Sequence, residues 1–212
     1  MSMDTRRANV SLPYPARATE TVPHSGGAAD DYVLLQRVAE RDRQAFEQLY
    51  QRYARRLLGY ITRRLPQREL AEEVLNDVML ALWQQAPKFD PRGSVASWLF
   101  RIALHKVCSA IRYTRARPLP PPAPLPWDDA ADPEGGLAHQ ELRGAVVQAI
   151  ANLPAGQREV VELTYYHDFS YQEIATIVGC PVNTVKTRMA RARRCLAPLL
   201  AAMDLGTVSG QT

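Results

Sequence analysis

The stretch DFSYQEIATIVGCPVNTVKTRMARARRCL, residues 168–196, decides how the second half of the chain folds. It predicts two helices joined by a tight turn. Ser170 followed three residues later by Glu173 forms a capping box, so the first helix should start directly after the serine. Gly179 can take the positive φ with which many helices end, and Pro181 suits the first turn of the next helix.

The second helix of this pair has two different sides. Apolar residues recur at helical spacing and should face inward, namely Val182, Val185, Met189, Ala192, Leu196 and Leu199. The candidate DNA-binding residues lie on the other side and flank it: Asn183, Thr184, Lys186, Thr187, Arg188, Ala190, Arg191, Arg193 and Arg194. Small and hydrogen-bonding side chains can fit against base edges in a major groove, while flanking cations reach phosphates. An ordinary solvated basic helix is the alternative, because a run of charge alone is weak evidence.

Composition separates basic from acidic segments along the 212 residues, whose net charge is +4. Cations cluster at 52–64, 101–117 and 186–194, whereas acids collect at 69–77 and 128–141. This asymmetry favours a nucleic-acid partner for some surfaces and a protein partner for others. Because no apolar run approaches the ~20 residues of a membrane helix, and residues 1–28 lack the apolar centre of a signal peptide, we expect no membrane insertion and a cytoplasmic protein.

The three cysteines have no CxxC spacing, which fits unpaired thiols in a reducing cytosol. They are Cys108, Cys180 and Cys195. Structural thiols are a better interpretation than oxidant sensors. His105 and Cys108 would lie one turn apart on a helix, but without further ligands they predict no metal site. No other feature calls for a cofactor.

The first half of the chain reads as helices. The pattern of residues 30–64 predicts two of them. The apolar stripe of the second helix consists of Phe46, Leu49, Tyr50, Tyr53, Leu57, Tyr60 and Ile61. Pro66 ends this helix, because the residue before a proline avoids helical backbone. Residues 69–85 and 95–113 predict two more helices, and Ser94 can cap the last of them.

The helix of residues 69–85 carries an acidic, partly apolar side away from its core stripe. This side is a candidate protein-docking surface and comprises Glu72, Glu73, Asn76, Asp77, Leu80, Trp83 and Gln84. Periodicity alone does not separate this interpretation from one in which Leu80 and Trp83 pack on a neighbouring helix.

A second candidate surface combines the loop of residues 88–94 with the outer side of the following helix. Its residues are Lys88, Phe89, Arg92, Ser94, Arg101, His105 and Arg112. Cations beside planar side chains are what single-stranded nucleic acid needs. Equally open is a core position for both Phe89 and Trp98, since Trp98 lies on the predicted buried stripe.

The segment RPLPPPAPLPWDDAADPEGG, residues 117–136, cannot form a regular element, because its prolines favour extended chain. Trp127 in it either docks onto a domain or accompanies an acidic stretch that occupies a basic groove of a partner. Beyond it, residues 137–152 and 157–167 predict helices that precede the helix pair. Tyr165, Tyr166 or Phe169 should close their core.

These features predict an all-α protein: two small helical domains joined by a proline-rich linker, the second ending in a helix-turn-helix. The expected division is a disordered tail at 1–28, a first domain at 29–115, the linker at 116–136, a second domain at 137–200 and a C-terminal tail at 201–212.

Two blocks together resemble one family. The block LPAGQREVVELTYYHDFSYQEIATIVGCPVNTVKTRMARARRCL is similar to the domain of bacterial sigma factors that reads the promoter −35 element. The blocks QAFEQLYQRYARRLLGYITRRL and AEEVLNDVMLALWQQAPKFDPRGSVASWLFRIALHKV are similar to the −10-reading and core-docking domain. With no domain between them, the arrangement resembles the small extracytoplasmic-function sigma factors of the sigma-70 family, over roughly residues 31–200.

The resemblance implies roles for each surface. The helix of residues 69–85 would bind the clamp helices of RNA polymerase. Residues 88–97 would capture a flipped −10 base, and residues 95–113 would help melt the −10 region. The linker acids Asp128, Asp129, Asp132 and Glu134 would act as RNA-like negative charge. The implied partners are core RNA polymerase, promoter DNA and an anti-sigma factor, and the chain would not be an enzyme.

Ala190 stands where some relatives carry a larger side chain, so base preference cannot be copied from them. The main alternative is a LuxR-type helix-turn-helix regulator that binds operators, which shares the EIA…G…TVK pattern. Against it, the first half reads as all-helical and lacks the alternation of strands and helices of a receiver domain. A helical adaptor that uses only the docking surface is a second alternative.

Overall fold

The structure, a computed structural model, describes the backbone of residues 28–116 and 137–208 and the side chains of residues 30–114 and 144–198. Regular structure in these ranges is helical, which confirms the all-α prediction. The helices are α1 (Ala28–Ala39), α2 (Arg43–Thr62), α3 (Arg68–Gln85), α4 (Val95–Ala116), α5 (Leu137–Ala151), α6 (Ala155–Tyr165), α7 (Tyr171–Val178) and α8 (Val182–Val208), with a 3-10 turn at Ala86–Lys88. Residues 1–27 of the tail predicted at 1–28, and residues 117–136 of the linker predicted at 116–136, lie outside the described residues, and so does Trp127.

Chain contacts divide the protein into two units. The first contains residues 21–129 together with 172–181, and thus α1 to α4 and α7 after its first residue. The second contains residues 1–20, 130–171 and 182–212, and thus α5, α6 and α8.

The turn between α1 and α2 is set by a capping aspartate. The side chain of Asp42 accepts hydrogen bonds from the backbone N–H groups of Gln44 (2.8 Å) and Ala45 (3.2 Å), which α2 leaves unpaired at its start. The Arg37 guanidinium pairs with the same carboxylate at 2.6 Å and, as the largest cause, lowers the pKa of Asp42. Arg41 just before it has φ 70°, a left-handed conformation uncommon outside glycine.

The core of the first unit joins α2, α3 and α4. The rings of Tyr60 and Phe100 meet edge to face, with centroids 5.2 Å apart, and both side chains are fully buried. Periodicity predicted a single apolar stripe on α3 and on α4, and it missed Met79 and Phe100, which are also buried. Each of these helices packs against three other helices of the unit, so its buried arc is wider than a single stripe.

One position of the predicted α2 stripe is wrong. Leu49, Tyr53, Leu57, Tyr60 and Ile61 are buried, but Tyr50 is 38% exposed and Phe46 is half-buried. Their rings contact each other with centroids 6.3 Å apart, at the margin of the stripe.

The α6 helix begins two residues earlier than predicted. The carbonyl of Pro154 accepts hydrogen bonds from the N–H groups of Gln157 (2.8 Å) and Arg158 (3.0 Å), so the helix starts directly after the proline. Of the three candidates for closing the core, Phe169 is buried at 2%, whereas Tyr165 and Tyr166 are more than 40% exposed.

The α8 helix continues to Val208, into the segment that the sequence assigned to a C-terminal tail. Pro198 lies inside it. The residues after Pro198 are mainly leucine, alanine and methionine, which are strong helix formers.

Candidate nucleic-acid and protein interfaces

The turn between α7 and α8 has the predicted geometry. Gly179 takes φ +70°, and the N–H groups of Gly179 and Cys180 both donate to the Ala175 carbonyl, at 2.9 and 3.1 Å. These bonds satisfy the last turn of α7. Ile174 and Ile177 are buried, as expected for the apolar side of this helix. The chain then enters α8 at Val182.

The α8 helix presents the two sides that its sequence predicts. Val185, Met189 and Ala192 are buried, at 2% exposure or less, and Val182 and Leu196 are half-buried. Leu199 lies outside the described side chains. The exposed members of the candidate DNA-binding set are Asn183, Lys186, Thr187, Ala190, Arg191 and Arg194, and the half-buried members are Thr184, Arg188 and Arg193.

Two of the α8 arginines pack on their own unit. The Arg188 side chain lies against Gly156 of α6, so closely that a Cβ there would meet its Cζ and Nε at 3.2 Å. Arg193 donates to the Tyr171 hydroxyl at 3.4 Å. The exposed basic surface of α8 is therefore carried mainly by Lys186, Arg191 and Arg194.

The hydroxyl of Thr187 donates to the backbone carbonyl of Asn183 at 2.9 Å. This bond fixes the threonine rotamer in the free chain.

The loop of residues 88–94 holds an ion pair. The Arg92 guanidinium donates to both oxygens of Asp90, at 2.7 to 3.1 Å, and the Arg92 backbone N–H donates to the same carboxylate at 3.1 Å. The hydrogen bond from Arg92 is the largest cause that lowers the pKa of Asp90 to about 2. Lys88 beside this pair is exposed.

Ser94 caps α4 as predicted. Its hydroxyl oxygen accepts from the Ser97 backbone N–H at 3.1 Å, and its hydroxyl donates to the Glu173 carboxylate at 2.9 Å. Both partners belong to the first unit. Ser94 is half-buried between them.

Phe89 and Trp98 are neither fully buried nor fully exposed to solvent. Both are half-buried, and their rings meet edge to face with centroids 5.4 Å apart. Arg101, His105 and Arg112 are exposed on α4, the helix that also carries Trp98. This arrangement suits a single strand, whose phosphates need cations and whose bases need planar surfaces.

The candidate docking side of α3 is mostly exposed. Glu72, Glu73, Asn76, Leu80 and Gln84 are exposed, and Leu80 is 52% accessible. Asp77 is half-exposed and pairs with Lys106 of α4 at 2.8 Å.

Trp83 and Leu80 have different environments: Trp83 packs on a neighbouring helix, whereas Leu80 is exposed. The Trp83 ring packs edge to face on Phe46, with centroids 5.5 Å apart. The Arg41 guanidinium lies over it at 5.4 Å and donates to the Trp83 carbonyl at 3.1 Å. Sequence reasoning missed Arg41 and Phe46 as neighbours of this surface. The spacing of Phe46 and Tyr50 marks them as a pair, but nothing local in the sequence predicts the turn that brings Arg41 over the indole.

None of the helices that the structure describes is long and apolar enough to cross a membrane. The described side chains also contain no group of three or more His, Cys, Asp or Glu placed to hold a metal ion.

Both halves of the chain match known families. Residues 49–117 match sigma-70 region 2, and residues 143–196 match sigma-70 region 4. The ECF RNA polymerase sigma factor RpoE of Cereibacter sphaeroides is 34% identical over 167 residues, covering 76% of this chain and 91% of the relative. SigM of Mycobacterium tuberculosis, another ECF RNA polymerase sigma factor, is 35% identical over 178 residues, covering 83% and 87%.

Solved structures agree with these matches. CnrH in complex with the cytosolic domain of CnrY aligns with a TM-score of 0.58 at 30% identity, covering 81% of this chain and 97% of CnrH. RpoE of Bartonella quintana, in complex with the anti-sigma factor NepR, also gives 0.58, at 26% identity, covering 74% and 96%. The chain belongs to the extracytoplasmic-function sigma factors of the sigma-70 family.

Proposed function

We propose that this protein is a promoter-specificity subunit that binds core RNA polymerase, directs it to −35 and −10 promoter elements and helps open the DNA. The observation that carries the proposal is the order of two matched regions, region 2 before region 4, in a chain whose α8 exposes a hydrogen-bonding and basic side. The synthesis of RNA belongs to the polymerase, so the protein itself is not an enzyme, and it acts in the cytoplasm.

The proposed division of the chain follows the two matches. Residues 29–115 dock on polymerase and handle the −10 element, residues 116–136 link, and residues 137–200 read the −35 element. A large docking area on α3 and a separate basic area on α8 suit this division, because one partner is a protein and the other a polyanion.

On α8, the exposed residues Asn183, Thr187 and Ala190 would face base edges. Amide and hydroxyl groups can hydrogen-bond to bases, and a methyl side chain can contact a thymine methyl. Lys186, Arg191 and Arg194 would contact phosphates on either side, and the packed Arg188 and Arg193 would fix the helix against its unit as well as add positive charge.

On the first unit, the loop of residues 88–94 and the outer side of α4 would hold the opened strand. Arg101, His105 and Arg112 would contact the phosphate backbone, and the accessible parts of the half-buried Phe89 and Trp98 would offer planar surface to the bases. The polymerase would bind the α3 side that carries Glu73, Asn76 and Leu80.

An anti-sigma factor is a further proposed partner. Its support is that the similar proteins CnrH and Bartonella quintana RpoE were solved in complexes, the latter with the anti-sigma factor NepR. Such a partner would compete for the polymerase-docking or DNA-binding surfaces.

The test is transcription in vitro with purified core polymerase on a library of genomic DNA fragments, with start sites mapped by sequencing the 5′ ends of the transcripts. We expect initiation only when the protein is present, at start sites that share two upstream elements. Stable binding to a DNA site without polymerase, together with no initiation in its presence, would instead support an operator-binding regulator.

A further inference from the structure

A row of three half-buried aromatic rings runs from α1 through the loop after the 3-10 turn to α4. The ring centroids of Tyr32 and Phe89 are 6.3 Å apart, and those of Phe89 and Trp98 are 5.4 Å apart. Phe89 is thus held between a ring from α1 and a ring from α4. Its position depends on a helix that carries none of the surfaces assigned above.

The residue next to Tyr32 anchors α1. Asp31 is 6% exposed, and its side chain accepts hydrogen bonds from the Tyr53 hydroxyl and the Arg52 guanidinium of α2. A carboxylate buried without such partners would strongly destabilise the fold, so its partners fix where this turn of α1 sits on α2. Burial, and next the bond to Asp31, raise the pKa of Tyr53, so its hydroxyl keeps the proton that it donates.

The consequence is geometric. Because Asp31 and Tyr32 are consecutive on one helix, fixing the first sets the direction of the second. The Tyr32 ring then limits how far Phe89 can withdraw toward α1, while Trp98 limits it on the other side. A surface that is to receive an unpaired base binds it better when its rings are already in place.

We propose that Tyr32, anchored through Asp31, is a positioning residue that holds the Phe89–Trp98 pair in the arrangement required for strand opening. The inference rests on the proposed role of residues 88–94 at the −10 element. It assigns to α1 a part in opening that is separate from polymerase docking and from −35 recognition.

The test compares Tyr32→Ala, Tyr32→Phe and the control Val33→Ala in holoenzyme. Val33 is the neighbouring α1 residue and is 53% exposed, so its truncation changes the same helix without touching the aromatic row. Opening is measured with 2-aminopurine in the −10 element, core binding by titration with labelled polymerase, and −35 binding with a short duplex.

We expect Tyr32→Ala to lower the equilibrium constant for opening by about threefold to tenfold, the range that loss of one aromatic pair implies. Tyr32→Phe keeps the ring and should restore opening, and Val33→Ala should match the parent protein. Core binding and −35 binding should stay within twofold of the parent for all three variants.

A structural readout in the free chain accompanies the activity. The protein has three tryptophans, so 5-fluorotryptophan labelling gives three ¹⁹F signals, and Trp98→Phe identifies the one from Trp98. Tyr32→Ala should shift the Trp98 signal, leave the Trp83 signal in place, and be reversed in Tyr32→Phe. An unmoved Trp98 signal would overturn the proposed contact chain.

Phe89→Ala distinguishes the positioning role of Tyr32 from the proposed −10 role of the loop of residues 88–94. If it impairs opening while Tyr32→Ala does not, the positioning role is wrong and the −10 role of the loop stands. If Phe89→Ala opens DNA normally, the −10 role fails and the positioning role fails with it. An equal loss of core binding and opening in Tyr32→Ala would mean that Tyr32 only supports the fold, and would also overturn the inference.

Discussion

The Nζ atom of Lys106 lies 2.8 Å from Oδ2 of Asp77, so an ion pair joins α4 to α3. Both side chains are more than 40% exposed. Asp77 therefore has a partner within its own chain, although it also lies on the candidate polymerase-docking side of α3. A single substitution at Asp77 would change the pair and the docking surface at once.

A charge swap separates the two roles of Asp77. Asp77→Lys alone opposes two cations, and we expect a fall in stability of about 0.5 kcal/mol, typical of exposed pairs. The double variant Asp77→Lys with Lys106→Asp should recover that stability, measured by urea unfolding, because the pair is restored in reverse. If polymerase contacts the Asp77 carboxylate itself, core binding should be weakened in Asp77→Lys and should remain weak in the double variant. Full recovery of binding would assign Asp77 to the fold alone.

Leu80 offers a cleaner test of the docking surface. It is 52% exposed on α3 and no part of the core, so Leu80→Arg should leave the midpoint of thermal unfolding nearly unchanged. We expect core affinity to fall by roughly tenfold or more, as when a central apolar contact is replaced by a desolvated charge. Gln85→Arg, at the exposed last residue of α3 and outside the candidate docking set, is the matched control. Normal polymerase binding by a folded Leu80→Arg protein would exclude α3 as the central docking helix.

Arg191 should contribute a phosphate contact at the −35 element. It is exposed on α8, unlike the half-buried Arg188. Arg191→Ala should weaken −35 duplex binding at all sequences and lower the slope of log affinity against log salt by about 1. Core binding, measured in the same preparation, should not change. A loss confined to one base pair, with the salt slope intact, would show that Arg191 reads a base instead.

The sequence predicted the helices, the Gly179 turn and the inward side of α8 because each depends on neighbours within one or two turns. It missed Phe100 in the core, since burial there depends on which other helices α4 packs against. It also did not predict that Arg188 lies against α6, where the absence of a side chain at Gly156 leaves room for the guanidinium. Contacts made between helices far apart in the chain leave no periodic signal.

The Asp90–Arg92 pair should persist in moderate acid. The folded pKa of Asp90 is lowered to about 2 from 3.8, so its contribution to stability is fully present above the ordinary carboxylate range. That contribution disappears as the pH falls through about 2, because the protonated carboxyl no longer pairs with Arg92. A titration of the Asp90 carboxyl ¹³C shift should give this midpoint. Arg92→Gln should move the midpoint upward, and an unchanged midpoint would contradict the pairing.

Gly156→Ala should reposition Arg188 without unfolding α6. The new Cβ would lie 3.2 Å from the guanidinium, which is the far end of a flexible side chain and can move by a few tenths of an ångström. We expect stability to hold or rise slightly, because alanine favours helix by up to about 1 kcal/mol. If DNA binding depends on the position of Arg188 against α6, the affinity for a −35 duplex should fall a few-fold. Gly144→Ala in α5 is the matched control, because a Cβ there meets nothing within 4 Å. Equal −35 affinities in the two variants, with the Gly156→Ala protein folded, would mean that Arg188 acts at any position its flexible chain can reach.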